Sequence, residues 1–292
     1  MKKTIFLLLI SMSYTQVSDN AYTHAGVSAM AGAVVAESGN IWSIFHNPAG
    51  ITELRDNQFT LGGGNLFSYN WLPTSHLSVN THIPVIGKFA FSFEQLKTKY
   101  RSSTLSKEQT ISIAQGFSLQ HDKNSHLAIG YTANFVIWEM GKSAGVSGDG
   151  SDGIELGNTN AMTLDIGVLA TLREKYRFGV MVNNTNSGAL GKGITRQVLP
   201  RRINIGITYL PLEGLATSIV TEKLLGREEL QMKGAFRYNF NSHLIIYSGA
   251  QSNPNRFGFG FTFYLNKQSV SYGLLTHPVL PITHQFNIGI SL

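Results

Sequence analysis

Apolar and polar residues alternate with a period of two over most of this chain, from residue 56 to residue 292. Successive side chains of a β-strand point to opposite faces, so this pattern predicts strands with one apolar face and one face of small or polar residues. A clear example is the apolar row Phe257, Phe259, Phe261 and Phe263. Strands of this kind close into a barrel when the apolar face meets lipid and the other face lines a lumen.

The alternating segments number about fourteen and predict an all-β fold, a transmembrane antiparallel β-barrel. They lie near residues 57–68, 75–83, 87–97, 108–120, 126–140, 160–173, 176–186, 201–210, 214–223, 228–240, 243–252, 256–265, 268–276 and 282–292. The links after even-numbered strands are tight, and the long links, 98–107, 141–159 and 187–200, all follow odd-numbered strands. Outer-membrane barrels have this asymmetry, with the short turns in the periplasm. We therefore expect an outer-membrane protein with both termini in the periplasm.

The composition agrees with this interpretation. Charged residues make up 14% of the chain, against about a quarter in typical soluble domains. No stretch after the first 15 residues approaches the roughly 18 apolar residues that a membrane-spanning helix needs. An open, soluble β-sandwich would also alternate, although it would leave strand edges to protect, and the pattern alone leaves this alternative open.

The charge of the chain favours lipid over nucleic acid as a partner. The formal net charge is +6, and the basic residues are scattered through the predicted turns. Scattered basic residues do not form the stripe or patch that nucleic-acid binding requires. They fit contact with anionic outer-membrane lipid, but simple solvation of the turns is the preferred explanation.

Three segments follow from the order of these features. Residues 1–15 have two lysines, an apolar run and small residues at the end, which predicts a secretory signal peptide. Residues 16–55 precede the first strand and are expected to form an N-terminal hatch, or plug. Residues 56–292 form the predicted outer-membrane barrel. The chain contains no cysteine and so has no acceptor for a lipid anchor.

The predicted hatch combines small residues with an apolar turn. Residues 25–36 are mostly Gly, Ala, Ser and Val, which allow a short helix to lie close to another surface. Pro48 lacks a backbone donor and disfavours a helical conformation at the preceding residue. The residues expected to form the hinge of the hatch or the edge of a ligand site are Trp42, Phe45, His46, Asn47, Pro48 and Ala49.

Charged residues on the predicted lumen face form a second candidate site. Glu94, Asp165 and Glu222 are expected to meet Lys233 and Arg237, and such a network would pin the hatch to the wall or gate a passage. No nucleophile, base and orienting group occur together, which favours a non-enzymatic protein without a cofactor.

A glycine-rich loop contains Asp149 and Asp152, whose carboxylates could bind calcium. Their spacing does not match an EF-hand loop, and a surface loop without metal is the alternative. The nine histidines are scattered and predict no zinc site.

The hatch sequence also resembles a known family. Ala25, Gly26, Ala29, Met30, Gly32 and Ala33, followed by Ser43 to Gly50, resemble the PorV/PorQ-like outer-membrane proteins, a branch of the FadL-type barrels. Arg237 departs from the family, in which a glutamate is common at that position. The resemblance implies a fourteen-stranded barrel with an N-terminal hatch.

The resemblance implies two different functions. The first is an accessory role in type IX secretion or in surface attachment of exported proteins, with secretion components or secreted cargo as partners. The alternative is FadL-like passive transport of a hydrophobic small molecule. The alternation pattern does not separate the two.

Overall fold

The computed structural model describes residues 22–83, 87–100, 103–143, 145–146, 148, 152–191 and 196–292. Within these residues, fourteen strands form one closed antiparallel barrel, and a separate two-stranded sheet lies between the seventh and eighth barrel strands. This architecture confirms the predicted fold class. The predicted signal peptide, residues 1–15, lies outside the described residues.

The barrel strands are β1 (Gln58–Asn65), β2 (Pro73–Ile83), β3 (Gly87–Tyr100), β4 (Ser103–His121), β5 (Ser125–Lys142), β6 (Glu155–Leu172), β7 (Tyr176–Asn183), β10 (Arg202–Leu212), β11 (Leu215–Leu224), β12 (Leu230–Asn239), β13 (Leu244–Gln251), β14 (Arg256–Leu265), β15 (Gln268–Leu275) and β16 (Thr283–Ser291). The small sheet consists of β8 (Ala189–Leu190) and β9 (Gln197–Val198). The helices are α1 (Ala25–Ala29) and α2 (Ser43–His46), with 3₁₀ turns η1 (Pro48–Glu53) and η2 (Leu66–Ser68).

The first and last strands close the barrel. β1 pairs with β2 on one side and with β16 on the other, in the register Gln58↔Ser291 through Asn65↔His284. Every barrel strand therefore has two neighbours, and no strand edge remains open. Closure satisfies the backbone groups between strands, which is the requirement for crossing lipid with β-structure. The open-sandwich alternative is wrong for this reason.

The two faces of the barrel differ as the alternation predicts. On β14, Phe257, Phe259, Phe261 and Phe263 are exposed on the outer face, while Gly258, Gly260 and Thr262 are buried on the inner face. The other strands repeat this division, with apolar side chains outside and small or polar ones inside. An apolar belt of this size would be unfavourable in water and is suited to lipid.

Strands β3 to β6 are longer than predicted, and the predicted loops next to them are wrong. The loop expected at 98–107 is largely a β3/β4 hairpin, paired from Thr98↔Ser106 to Tyr100↔Ser103. β5 and β6 extend their pairing to Lys142↔Glu155, which shortens the loop expected at 141–159. The alternation of side chains ends where the strands leave the apolar belt, but the backbone hydrogen bonds continue, so a side-chain pattern underestimates these strands.

The described part of the segment before β1 lies inside the barrel. α1 packs against β13 to β16, and η1 packs against β3 to β6. His24 caps α1 by accepting a hydrogen bond from the Gly26 N–H at 3.1 Å. Asn47 ends α2 and caps η1, because its side chain accepts from the Ala49 N–H at 3.2 Å and Pro48 takes the first position of η1. We call the described part of this segment, residues 22–55, the hatch.

The described part of the chain has no helix with the length and apolar character needed to cross a membrane.

The apolar belt yields a first prediction. Phe261 lies near the middle of β14 and Leu265 at its end, and both side chains point outwards. In a bilayer, Phe261→Arg should lower the free energy of unfolding by about 2–4 kcal/mol, because a charge at the midplane loses its hydration, whereas Leu265→Arg should cost about 1 kcal/mol or less. Denaturant unfolding in phospholipid vesicles measures both variants. Equal losses would contradict the assignment of the belt to lipid.

Candidate functional site

A cavity of about 260 Å³ lies above the hatch, on the side of the longer loops, and we call it the vestibule. The hatch forms its floor with Tyr22, Thr23, Val34, Val35, Ile44, Phe45 and His46. The wall contributes polar residues from β2 to β6, β10 to β12 and β16, together with Leu96, Val136 and Leu199. The vestibule therefore has a largely apolar floor and polar walls.

A belt of wall glycines lets the hatch lie directly on the barrel. At nine glycines of the described wall, an added Cβ would come within 3 Å of hatch atoms: Gly116, Gly130, Gly167, Gly179, Gly206, Gly249, Gly258, Gly260 and Gly273. At Gly258, for example, it would lie 2.4 Å from the carbonyl oxygens of Ser28 and Ala29. Side chains at these positions would push the hatch away from the wall. We call these nine residues the glycine belt.

The turn at Asn47, Pro48 and Ala49 seats the hatch on β5 and β6. All three residues are buried. The Asn47 amide donates to the carbonyl oxygen of Val35 at 2.7 Å within the hatch and to that of Val168 on β6 at 3.1 Å. The geometry makes this turn a seat for the hatch, below the vestibule and away from its surface.

The aromatic residues of the predicted site take different positions. Trp42 is 4% exposed and packs between Gly26 and Tyr247, with the Trp42 and Tyr247 ring centroids 6.0 Å apart. Phe45 and His46 lie on the vestibule floor. The structure therefore brings two of the six predicted hatch residues, Phe45 and His46, to the vestibule surface.

His46 is uncharged near neutral pH. Burial is the largest cause and lowers the pKa of His46. The Thr23 carbonyl oxygen, which lies 3.1 Å from Nε2, and the Glu222 carboxylate raise the pKa. The positive charges of Lys233 and Arg202 lower it further. The resulting pKa is about 4. The neutral imidazole of His46 therefore adds hydrogen-bonding capacity to the vestibule but no charge.

Arg237 forms an ion pair with the hatch. Its Nε lies 3.3 Å from Glu37 Oε2, and the Glu37 side chain is completely buried. The other oxygen of Glu37 accepts a hydrogen bond of 3.3 Å from the Ser218 hydroxyl of β11. The sequence predicts a charge pair for Arg237 but does not identify Glu37 as its partner. This contact lies between the hatch and strands β11 and β12, where the glycine belt is interrupted.

Glu53 anchors the other end of the hatch. Its carboxylate lies 3.1 Å from His126 Nδ1 and 3.5 Å from Arg177, and it also accepts a hydrogen bond from Ser38. Burial raises the pKa of Glu53, but Arg177, Ser38 and His126 outweigh it, so that the pKa lies below its ordinary value. The ionised carboxylate therefore holds the hatch to β5 and β7.

The predicted lumen network separates into distinct contacts. Lys233 Nζ lies 2.8 Å from Glu222 Oε2 on the adjacent strand, and Arg202 Nε lies 3.9 Å from Glu222 Oε1. Glu94 accepts a hydrogen bond from the Thr23 hydroxyl of the hatch. The remaining predicted member, Asp165, accepts hydrogen bonds from three neutral donors: the side-chain amides of Asn134 at 2.9 Å and Asn183 at 3.1 Å, and the Asn184 N–H at 2.7 Å.

Sequence reasoning missed Glu37, Glu53, Arg177, Arg202 and His126. The sequence does contain a signal for two of them: Glu37 and Glu53 are the acidic residues of residues 22–55. A carboxylate in a segment that is enclosed by the barrel needs a partner, so these two residues could have been predicted to form ion pairs or hydrogen bonds. The partners could not be found this way, because they lie on strands far away in the chain.

The calcium hypothesis gains no support from the described residues. Asp149 lies outside them, and Asp152 accepts a hydrogen bond of 3.1 Å from the Val146 N–H. No group of three or more histidines and carboxylates in the described ranges is arranged to hold a metal ion.

Solved structures with this fold are distant in sequence. The P. putida toluene transporter TodX matches with a TM-score of 0.66 and 12% identity, covering 94% of this chain and 99% of that chain. The Ralstonia pickettii toluene transporter TbuX matches with a TM-score of 0.62 and 12% identity, covering 94% and 99%. A Pseudomonas aeruginosa FadL homologue matches with a TM-score of 0.51 and 11% identity, covering 91% and 97%. No protein-family model and no curated protein matches the sequence.

These comparisons confirm the resemblance to FadL-type barrels at the level of the fold. They give no support to the narrower resemblance to PorV/PorQ-like proteins or to a type IX secretion role.

The glycine belt yields a second prediction. Gly130→Ala places a methyl group 2.5 Å from backbone atoms of Pro48 and Ala49, so it should destabilise the protein by about 1–3 kcal/mol and expose the hatch to proteolysis. Gly234→Ala is the matched control, because the nearest atom, the Ser218 carbonyl oxygen, is 3.9 Å away. Thermal unfolding and limited proteolysis measure both variants. A control as damaging as Gly130→Ala would show that the belt does not seat the hatch.

The buried ion pair yields a third prediction. Glu37→Gln leaves the Arg237 guanidinium without its anion and should lower the free energy of unfolding by about 3–5 kcal/mol. The control is Glu155→Gln, which breaks the ion pair with Lys142, 3.7 Å long and exposed on both sides, at a cost of about 1 kcal/mol or less. Denaturant unfolding measures the difference between the variants. Losses of equal size would mean that Glu37 does not hold the hatch.

Proposed function

We propose that this protein is an outer-membrane channel of the FadL type that takes up a hydrophobic small molecule. The molecule binds in the vestibule and crosses the barrel when the hatch moves. The observation that carries this proposal is the vestibule itself: a cavity of about 260 Å³ that ends on an apolar floor formed by the hatch.

The floor of the vestibule suits an apolar group. Val34, Val35, Ile44 and Phe45 contribute apolar groups to the floor, and Leu199 lines the wall from the loop that carries the small β8/β9 sheet. Ligand sites that bind small molecules usually combine such a surface with a few polar groups that set orientation. The polar walls of the vestibule supply those groups.

Passage beyond the floor requires the hatch to move. The glycine belt brings the hatch backbone into contact with β4 to β7, β10 and β13 to β15, and apolar side chains fill the space between. The ion pairs of Glu37 and Glu53 hold this plug to β12 and to β7. A substrate in the vestibule would pass only after part of these contacts is released.

The proposal assigns a role to each part of the chain. Residues 1–15 direct export, residues 16–55 form the hatch and residues 56–292 form the barrel in the outer membrane. The tight turns and both termini face the periplasm, so the vestibule opens towards the outside of the cell. The protein performs no chemical reaction on its substrate. No feature of the described residues favours the type IX secretion role over uptake.

A crosslinking experiment tests this function. Gram-negative cells that express the protein should take up labelled toluene faster than cells that lack it. The side chains of Glu53 and His126 are 22% and 10% exposed and lie 3.1 Å apart, so Glu53→Cys with His126→Cys can be joined by a short thiol-reactive crosslinker. The natural chain has no cysteine to interfere. Crosslinking should lower uptake to the level of cells without the protein, and cleavage of the crosslink should restore it.

The two single-cysteine variants are the controls: treated with the same reagent, each should keep the uptake that it shows without the reagent, whatever effect loss of the Glu53 or His126 side chain has on that starting level. Wild-type uptake no faster than that of cells without the protein would refute the channel. Uptake that continues through the crosslinked barrel would refute passage by hatch movement.

A further inference from the structure

Two ionisable side chains of opposite type in the barrel interior, one acidic and one basic, lack an ion-pair partner. Glu94 receives a hydrogen bond from the Thr23 hydroxyl and forms no ion pair with another described residue. Arg256 likewise forms no ion pair within the described ranges, and its buried Nε has no hydrogen-bond acceptor there. Both side chains are half-buried, and ionisable groups that are shielded from bulk water are normally paired, so each is suited to a ligand group of opposite charge.

Arg256 lines a second cavity of about 190 Å³, which we call the side cavity. It lies against the upper ends of β10 to β14 and also contains Arg202 and Arg227. The side cavity shares Tyr22, Arg202 and Glu222 with the vestibule, so the two cavities adjoin. These three side chains therefore form the boundary between the two cavities.

The charges of the two cavities are opposite. The vestibule has four carboxyl groups, of Glu94, Glu108, Asp165 and Glu222, against two cations, Arg202 and Lys233. The side cavity has three arginines, Arg202, Arg227 and Arg256, against two carboxylates, Glu222 and Glu229. One cavity thus has an excess of acidic groups and its neighbour an excess of basic groups.

The charged groups at the boundary between the cavities already have ion-pair partners. Glu222 lies within 2.8 Å of Lys233 and 3.9 Å of Arg202, and Lys233 also lies 5.0 Å from the centre of the Tyr22 ring. These contacts satisfy the charges at the boundary and leave Glu94 and Arg256 on either side of it. A ligand that spans the boundary meets an acidic group at one end and a basic group at the other.

We propose that the vestibule and the side cavity together bind a dipolar small molecule, with a cationic group near Glu94 and an anionic group near Arg256. An aliphatic segment between the two groups crosses the boundary over Tyr22. This inference goes beyond the proposed function, because it assigns the two cavities a second ligand class: an aliphatic molecule that carries opposite charges at its two ends.

Binding to the purified full-length barrel in a non-ionic detergent tests this inference. The probes are ω-aminohexanoate, which has both charges, hexanoate, which has the anion alone, and hexylamine, which has the cation alone. Isothermal titration calorimetry should show ω-aminohexanoate binding at least about tenfold more tightly than either, because each end adds a charge-assisted hydrogen bond.

Two variants assign the ends of the ligand. Arg256→Gln should weaken binding of ω-aminohexanoate and hexanoate about tenfold and leave hexylamine unchanged. Glu94→Gln should weaken ω-aminohexanoate and hexylamine and leave hexanoate unchanged. A misfolded variant would lose every probe, so the retained probe in each case reports a folded site.

Arg201→Gln and Glu228→Gln are the matched controls, because both residues are exposed at the same end of the barrel and line neither cavity. Binding of ω-aminohexanoate no tighter than that of hexanoate and hexylamine would overturn the proposal, as would equal losses in the controls. The readout is binding without transport. Failure here with normal toluene uptake refutes only the dipolar site, whereas loss of toluene uptake refutes the channel itself.

Discussion

The close approach of the hatch backbone to the barrel wall is the contact on which the rest of the structure depends. A closed barrel satisfies its own backbone hydrogen bonds, but it leaves a lumen that must be filled or remain wet. Here the glycine belt removes side chains from the wall where the hatch lies, and the small residues of α1 remove them from the hatch. Packing at this distance excludes water and leaves the vestibule as a separate space above.

Ion pairs add to the packing contacts that hold the hatch in the barrel. Glu37 and Glu53 are enclosed with the hatch, and each meets an arginine of the wall, Arg237 and Arg177. A buried ion pair adds little net stability over an apolar pair, but it is costly to break, so it sets where the hatch can sit. The paired charges thus fix the plug, whereas the unpaired Glu94 and Arg256 mark the surfaces left for a ligand. The barrel interior therefore has two kinds of charge with two different roles.

Much of the fold was predictable because its cause is local. Each strand can be recognised from the alternation of apolar and polar residues in its own sequence, and the tight turns follow even-numbered strands. The predicted strand ends were wrong where the alternation of side chains stops. The β3/β4 and β5/β6 hairpins continue beyond the apolar belt through backbone pairing alone. Of the hatch residues that were expected at a hinge or a ligand site, Phe45 and His46 line the vestibule in the structure. Trp42 instead packs against Gly26 and Tyr247. An aromatic residue in a plug can either line a cavity or pack between the plug and the barrel wall. The residues next to it in the sequence do not decide which of these two positions it takes.

The sequence by itself determined the barrel, its strand number and the presence of a small-residue segment ahead of the first strand, because period-two alternation and glycine content act through each strand separately. Only the tertiary structure decided which residues meet across the lumen. Arg237 finds Glu37, Glu53 finds Arg177 and His126, and Glu94 and Arg256 find no charged partner among the described residues. Strand register and barrel closure set these distances, and they bring together residues that are far apart in the chain.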